Sequence, residues 1–246
     1  GERTLICAIL PPKVAHVNAV ISTCFRTLAD CADMAAFCSS IPLDFYVKTI
    51  GVGQIGKKML KSFPMGIPNK YRKALHARIL RLNCLTDRYK EIWEKLWDDD
   101  FTHENWSKED HRLTPWSSIT QNWCTTNALR NAFERRLALV EIDVLISMAL
   151  GLTLNELILM YNMQFPTLIQ NEKDTWYDNG GKIVFTRANI SLPSVGVDRK
   201  IWDSIRDYKL GEVYLHHQTS ELYNGQSINY FAPYTNCNRI EDYRRA

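Results

Sequence analysis

The residues with the clearest chemical pattern form a glycine-rich string, Gly51-Val52-Gly53-Gln54-Ile55-Gly56-Lys57-Lys58. Its spacing matches G-x-G-x-x-G, a pattern with which strand–turn–helix units bind dinucleotide phosphates. It also matches a phosphate-binding P-loop, except that Lys58 stands where Ser or Thr would bind Mg²⁺. Pro64 shortens any following helix, and residues 70–80 contain no acid to bind a ribose. The string therefore does not predict a nucleotide site.

The same segment has a second possible use as a flexible, basic DNA-binding loop. Lys57, Lys58 and Lys61 can bind backbone phosphates, because cationic side chains supply most of the affinity for nucleic acid. Gln54 can reach base edges, where its amide can donate and accept hydrogen bonds. We prefer this interpretation.

Other catalytic patterns in the sequence are short. Asp198-Arg199-Lys200 and Asp207-Tyr208-Lys209 each match D-x-K, a fragment of many nuclease sites. The six His residues show no metal-ligand spacing, and the adjacent pair His216-His217 would face apart in a strand. A metal-dependent nuclease therefore stays an alternative, and we expect no catalytic residue, metal or cofactor in this segment.

The first part of the chain predicts a strand, a helix and a second strand. Residues 4–10 are apolar and end at a Pro-Pro pair, which favours a buried strand. Apolar residues recur at helical spacing over residues 16–38, until Pro42 follows. Residues 44–50 are rich in β-branched and aromatic side chains, which favours a strand. Residues 51–68 predict a loop.

The middle of the chain is predicted to be mainly helical. Helices are expected from Asn69 to about residue 97 and over residues 127–150, with a polar loop over residues 98–126. Thr153 and Glu156 have the spacing of a capping box, which predicts the start of another helix that ends before Pro166.

The last part of the chain has a sequence pattern that is less helical than the middle part. Residues 175–186 predict a hairpin around Asn179-Gly180-Gly181, and residues 201–208 a short helix. The whole pattern predicts an α+β fold, predominantly helical, with a small mixed sheet and a C-terminal β-hairpin. We expect a first domain over residues 1–165 and an accessory segment over residues 166–246.

Charge is distributed unevenly along the chain, although the formal net charge is only +3. Residues 48–90 contain eleven Lys or Arg and one acid, Asp87. Residues 91–110 contain eight acids and two bases. A one-sided basic block is typical of a nucleic-acid-binding face, and the alternative is a solvated surface.

Seven cysteines are present without a C-x-x-C pair, which indicates neither a disulfide framework nor a zinc ribbon and fits a reducing cytoplasm. Cys24, Cys31 and Cys38 recur every seven residues, so we expect them buried along one helix. No apolar run is long enough to span a bilayer and no signal peptide is visible. A soluble, cytoplasmic protein is expected.

Several segments resemble one enzyme group. Near the start stand Glu2-Arg3-Thr4-Leu5-Ile6, Leu10-Pro11-Pro12 and Val14-Ala15-His16. Further segments with this likeness are Ser40 with Asp44-Phe45, the loop at residues 51–56, Leu60-Lys61-Ser62-Phe63-Pro64, Arg81-Leu82-Asn83-Cys84-Leu85-Thr86, Ala138-Leu139-Val140-Glu141-Ile142-Asp143, Thr175-Trp176-Tyr177-Asp178, Ile183-Val184-Phe185-Thr186, and the ending from Pro233 through Cys237-Asn238-Arg239 to Glu241-Asp242-Tyr243. They are similar to the target-recognition region of type IIG-like and phage-defence adenine-specific DNA methyltransferases.

This resemblance implies a division of labour. Adenine methyltransferases carry an N-P-P-Y-type turn for the flipped base and a glycine motif for the methyl donor, and this sequence has neither. By resemblance, a catalytic portion of the same polypeptide would bind S-adenosylmethionine, while this portion, with its target-recognition domain over residues 1–165, would clamp and recognise double-stranded DNA. The resemblance also makes defence-system proteins candidate partners. The chain itself is then not expected to be an enzyme.

The predicted DNA-binding residues are Gln54 for base edges and, for phosphates, Lys57, Lys58, Lys61, Lys70, Arg72 and Lys73. Six phosphate contacts predict a slope of log affinity against log salt of about −5. A protein-interaction module is the other alternative, with Trp106, Trp116 and Trp123 as a docking surface, although buried packing is also a possible role for each.

Overall fold

The computed structural model describes residues 2–17, 20–51, 55–64, 66–187, 195–217 and 226–246. The predicted fold class is confirmed, since 51% of the chain is helical and two small antiparallel sheets, one of them a C-terminal hairpin, complete the fold. The helices are α1 (Leu28–Ser39), α2 (Ile41–Ile50), α3 (Lys57–Lys61), α4 (Asn69–Asn83), α5 (Lys90–Leu96), α6 (Ala132–Ala149), α7 (Leu154–Gln164), α8 (Pro166–Lys173), α9 (Arg199–Ile205) and α10 (Arg239–Arg245).

The strand predicted at residues 44–50 is wrong, because these residues belong to α2. The Ser40 hydroxyl caps this helix by accepting from the backbone N–H of Leu43 at 3.4 Å. Pro42 lies in the first turn, and Gly51 ends the helix with a left-handed φ of 69°. These start and stop signals outweigh the strand preference of the β-branched residues between them.

The strand predicted at residues 4–10 is also wrong. This segment runs without regular structure, while Leu5 and Ile9 are buried against the helical core. The backbone N–H groups of Thr4 and Leu5 each donate to Asp44 Oδ1 at 3.1 Å. The Asp44 carboxylate therefore accepts hydrogen bonds from the two backbone N–H groups, so a neighbouring strand is not needed to pair with them.

The helix predicted over residues 16–38 begins only at Leu28. Thr27 caps it by accepting from the N–H of Asp30 at 3.0 Å, and the described residues before it are not helical. Cys24 therefore lies outside α1 and is exposed, which corrects the predicted stripe of three buried cysteines. Cys31 is half-buried and Cys38 is buried.

Two other long helices are shorter than predicted. The one expected from Asn69 to about residue 97 divides into α4 and α5, with a 3₁₀ turn at Asp87–Tyr89 before α5. The one expected from residue 127 begins at Ala132, after Asn131 caps it. The capping box of Thr153 and Glu156 is confirmed.

Helices α1, α4, α5 and α6 surround the largest apolar core, which includes Phe37, Leu75, Leu80, Trp93 and Ile142. A second apolar cluster joins α2 and α6 to α7, α8 and α10. It contains Ile41, Val140, Leu157, Tyr161, Phe165, Leu168 and Tyr243. The proposed division at residue 165 stays a prediction. No helix within the described ranges is long and apolar enough to cross a membrane.

The C-terminal part contains both sheets. Strands β1 (Trp176–Tyr177) and β2 (Ile183–Phe185) form the predicted hairpin, and β5 (Thr235–Asn236) pairs with the other edge of β1. Strands β3 (Val213–His217) and β4 (Ser227–Phe231) form a second antiparallel pair. Trp202 of α9 lies at the centre of the local core, stacked on Phe185 with 5.5 Å between ring centroids.

Candidate nucleic-acid interface

The short helix α3 holds three of the predicted phosphate-binding lysines on the surface. Its inner side is anchored by buried Met59, and buried Phe63 follows its end. The Phe63 ring contacts Tyr46 of α2 edge-on, with 6.4 Å between ring centroids. Because these apolar residues face the core, the lysine side chains of this helix are directed outward.

Lys57, Lys58 and Lys61 are all exposed. Within the part of the chain that the structure describes, none of the three has an ion-pair partner. An unpaired, hydrated ammonium group can bind a phosphate without first giving up a protein carboxylate. Helix α3 therefore presents three available positive charges within five residues.

The first turn of α4 holds the other predicted cations. Lys70 is exposed, and its ammonium lies 4.6 Å from the Tyr71 ring centroid. Arg72 forms an ion pair with Asp33 at 3.0 Å. Its Nη1 also donates to the Oδ1 of Asn69 at 3.1 Å.

Lys73 is bound by two carboxylates from the acidic stretch. Its ammonium lies 2.6 Å from Asp100 and 2.9 Å from Asp98. The hydrogen bonds from Lys73 to Asp100 and to Asp98 raise the pKa of Lys73, and the bond to Lys73 lowers the pKa of Asp98. Lys73 is therefore already compensated by acidic side chains, unlike the lysines of α3.

The same pairing occurs deeper in the molecule at Arg78. Its Nε lies 2.7 Å from Glu141 and its Nη1 lies 2.6 Å from Glu104. Arg81 is fully buried, with its guanidinium 4.6 Å from the Trp116 ring centroid, and burial lowers the pKa of Arg81 to about 10. Two of the eleven bases counted in the basic block are therefore internal.

The counter-ions Asp98, Asp100 and Glu104 were missed at the sequence level. Their signal was the sign reversal directly after the basic block, since adjacent stretches of opposite charge can fold back and pair. The structure leaves Lys57, Lys58, Lys61 and Lys70 as predicted phosphate-binding cations without a carboxylate partner among the described residues. Gln54 lies outside the described residues.

None of the three tryptophans proposed as an alternative docking surface is fully exposed. Trp116 is buried, while Trp106 and Trp123 are half-buried. The indole N–H of Trp106 donates to Thr114 O at 2.9 Å. That of Trp123 donates to Cys84 O at 2.9 Å. The buried packing also considered for these tryptophans is confirmed for Trp116, whereas Trp106 and Trp123 are only half-buried.

Neither D-x-K fragment joins a metal-binding cluster with other residues that the structure describes. Asp198 caps α9 by accepting from the N–H of Ile201 at 2.8 Å. Asp207 is highly exposed and lies 3.7 Å from Arg206. Among the described residues, no group of three or more His, Cys, Asp or Glu side chains has the arrangement of a metal site.

An open cleft of about 610 Å³ is lined by residues between Thr102 and Ser117. Its acidic lining includes Glu104, Glu109 and Asp110, whereas Lys108 is the only Lys or Arg that lines it among the described residues. Lys108 is itself paired with Asp242 at 2.9 Å. The excess of acids disfavours phosphate binding in the cleft. The cleft is therefore not part of the candidate phosphate-binding surface formed by the lysines of α3.

In comparisons with known proteins, no family model, curated protein or solved structure matches this chain.

Proposed function

We propose that this chain binds double-stranded DNA as the specificity part of an adenine-N6 DNA methyltransferase from a restriction-modification or phage-defence system. The observation that carries the DNA-binding proposal is the exposed lysine cluster of α3, formed by Lys57, Lys58 and Lys61. The role within a methyltransferase rests on the sequence resemblance described above.

The contacts to the phosphate backbone are assigned to this lysine cluster and to Lys70. Binding of a phosphate by Arg72 or Lys73 would replace their present ion pairs with Asp33, Asp98 and Asp100, so their net gain would be smaller. Four contacts give an expected slope of log affinity against log salt of roughly −3.5, shallower than six contacts would give.

In this proposal, base recognition belongs to Gln54, which lies next to the lysine cluster in sequence. Phosphate contacts would fix the position of the duplex, and the glutamine amide would contact a base edge. A catalytic portion of the same polypeptide would bind S-adenosylmethionine and extrude the adenine in the cytoplasm, and defence-system proteins are its proposed partners.

The proposal is tested by measuring duplex DNA binding over a range of salt concentrations. The triple variant Lys57→Ala, Lys58→Ala, Lys61→Ala should flatten the slope by roughly 2 to 3 units, because three phosphate contacts are lost. The matched control replaces the exposed lysines Lys95, Lys200 and Lys209, which lie outside α3, and removes the same total charge.

The control triple should leave the slope within about one unit of the wild type. Equal effects of the two triples would indicate general charge attraction and would contradict an interface at α3. Replacement of Gln54 by Ala should alter preference among duplex sequences while leaving the slope nearly unchanged. The chain alone should not bind S-adenosylmethionine in equilibrium dialysis.

A further inference from the structure

Two aspartates bind a lysine near the start of α4. Lys73 Nζ lies 2.6 Å from Asp100 Oδ2 and 2.9 Å from Asp98 Oδ2. Asp100 belongs to a 3₁₀ turn, Asp99–His103, and Asp98 precedes this turn. Like the oxygens of a backbone phosphate, carboxylate oxygens are anionic acceptors for an ammonium group. The two aspartates therefore occupy Lys73 in the way that a DNA phosphate would.

This contact lies beside a lysine that is assigned to the DNA backbone. Lys70 and Lys73 are three residues apart in α4, so their side chains are neighbours on one side of the helix. Lys70 is exposed and, among the residues that the structure describes, has no carboxylate partner. Because phosphates follow one another closely along a strand, a strand bound at Lys70 brings further phosphates near Lys73.

The acidic turn is anchored in the protein, whereas the lysine side chain lies on the surface. Phe101 in the turn is buried in the largest apolar core, and Glu104 directly after the turn lies 2.6 Å from Arg78. The side chain of Lys73 is 54% exposed and that of Asp100 is 62% exposed. An exposed ion pair is weak and a lysine has a flexible stem, so Lys73 can exchange the aspartates for a phosphate at a small cost.

Given the proposed function, on which this inference rests, we propose that Asp98 and Asp100 are internal competitors of DNA for Lys73. Without DNA they neutralise this cation, and a backbone phosphate has to displace them when DNA binds. The contact lowers the sequence-independent part of the affinity, because that part depends on the number of cations paired with phosphates. Recognition then depends more strongly on contacts to base edges.

The test measures binding of the full chain to a duplex of fixed sequence over a range of salt concentrations. Asp100→Asn removes one of the two carboxylates that bind Lys73, so the affinity should rise roughly two- to fivefold, the range expected when an exposed ion pair is weakened. Replacing both aspartates by asparagine should steepen the slope of log affinity against log salt by about 0.9, because Lys73 becomes an additional phosphate contact. Asparagine at position 98 can still accept from the backbone N–H of residue 100, a bond of 3.0 Å, so the turn is retained.

Asp99 supplies a matched control in the same turn. It is exposed, and its Oδ1 accepts from the indole N–H of Trp97 at 2.8 Å instead of binding Lys73. Asp99→Asn removes the same charge one residue away and should change the affinity by less than about 1.5-fold. An equal rise in Asp99→Asn and Asp100→Asn would indicate a general reduction of negative charge and would overturn the proposal.

A second check removes the lysine itself. In a chain that carries Lys73→Ala, the further change of both aspartates to asparagine should leave the salt slope unchanged, and a steepening as large as that seen with Lys73 present would overturn the proposal. Duplex binding that depends on the lysines of α3 but not on Asp98 and Asp100 overturns this inference and leaves the proposed function in place. Absence of duplex binding from the wild type and every variant overturns the proposed function together with the inference.

Discussion

Arg239 donates from Nη1 to Asp143 Oδ2 at 2.6 Å, although the two residues are 96 positions apart in the sequence. The same carboxylate oxygen accepts from the Tyr243 hydroxyl at 2.7 Å. Asp143 Oδ1 accepts from the backbone N–H of Ile41 at 2.7 Å. One fully buried carboxylate therefore joins α6 to the last helix, α10, and to the start of α2.

Replacement of Asp143 by Ala should destabilise the protein by about 3 to 5 kcal/mol, because the Arg239 charge stays buried without this partner. Urea unfolding measures the change. The matched control is Asp207→Ala, which removes a carboxylate that is 88% exposed and 3.7 Å from Arg206. Its effect should be within about 1 kcal/mol. Similar losses for both variants would contradict the central role of Asp143.

Stability should fall at acidic pH through Glu172. Burial alone would raise the pKa of Glu172, but the charges of Arg239 and Arg136 outweigh burial and hold it at about 2, below the ordinary value of 4.5. The resulting stabilisation is complete above the unfolded pKa and is lost as pH falls through the folded pKa. Its full size is about 3 kcal/mol.

The variant Glu172→Gln should therefore be less stable than the wild type near neutral pH and should lose less stability on acidification. Urea unfolding at about pH 7, 5 and 3 measures both curves, which should converge as pH falls. Parallel curves would mean that Glu172 has the same pKa in the folded and unfolded states.

The hairpin turn should not tolerate a side chain at Gly181. This residue has a φ of 84°, and an added Cβ would lie 2.7 Å from Oδ1 of Asn131. Asn131 caps α6, and the Gly181 carbonyl accepts from the N–H of Phe133 at 3.1 Å. Gly181→Ala should cost about 2 to 4 kcal/mol, since backbone strain and the clash add.

Gly211→Ala separates these two effects. Gly211 also has a positive φ, 92°, but nothing lies within 4 Å of an added Cβ. Its substitution should cost about 1 to 2 kcal/mol from backbone strain alone. Thermal unfolding of both variants measures the difference in stability. Equal losses of stability would show that Asn131 moves away from the added Cβ without destabilising the protein.

Thiol labelling should distinguish the three cysteines once expected on one helix. Cys24 is exposed and should react rapidly with a maleimide, whereas Cys38 is buried and should react slowly. Cys84 is a second slow reference, because burial raises its pKa to about 12. All seven cysteines should react in denaturant. Slow labelling of Cys24 in the native protein would contradict the observed start of α1.

Local signals in the sequence predicted structure well where caps and periodicity agreed. The capping box at Thr153 and the hairpin turn at Asn179 need only neighbouring residues, and both were predicted correctly. Residues 44–50 carried conflicting signals, namely strand-favouring side chains between the helix caps Ser40 and Gly51. Burial of Val47 and Leu43 in the helical core decides that conflict, and such burial depends on distant parts of the chain.

The candidate site shows the same limit. The exposed lysines of α3 could be named from their types, but the neutralisation of Lys73 depends on Asp98 and Asp100, which a loop and α5 bring back to α4. Sequence charge counts treat every Lys and Arg as a surface cation. They could not show that Arg78 and Arg81 are buried, because burial is set by tertiary packing.

The seven tryptophans are distributed unevenly along the chain, so intrinsic fluorescence reports mainly on one part of the molecule. Five of them lie between residues 93 and 123, around α5 and the polar loop that follows it, whereas Trp176 and Trp202 belong to the C-terminal core. Intrinsic fluorescence will therefore be dominated by the first region. A loss of structure confined to β3 and β4 would change little of that emission, so far-ultraviolet circular dichroism must accompany it before unfolding is treated as a single two-state transition.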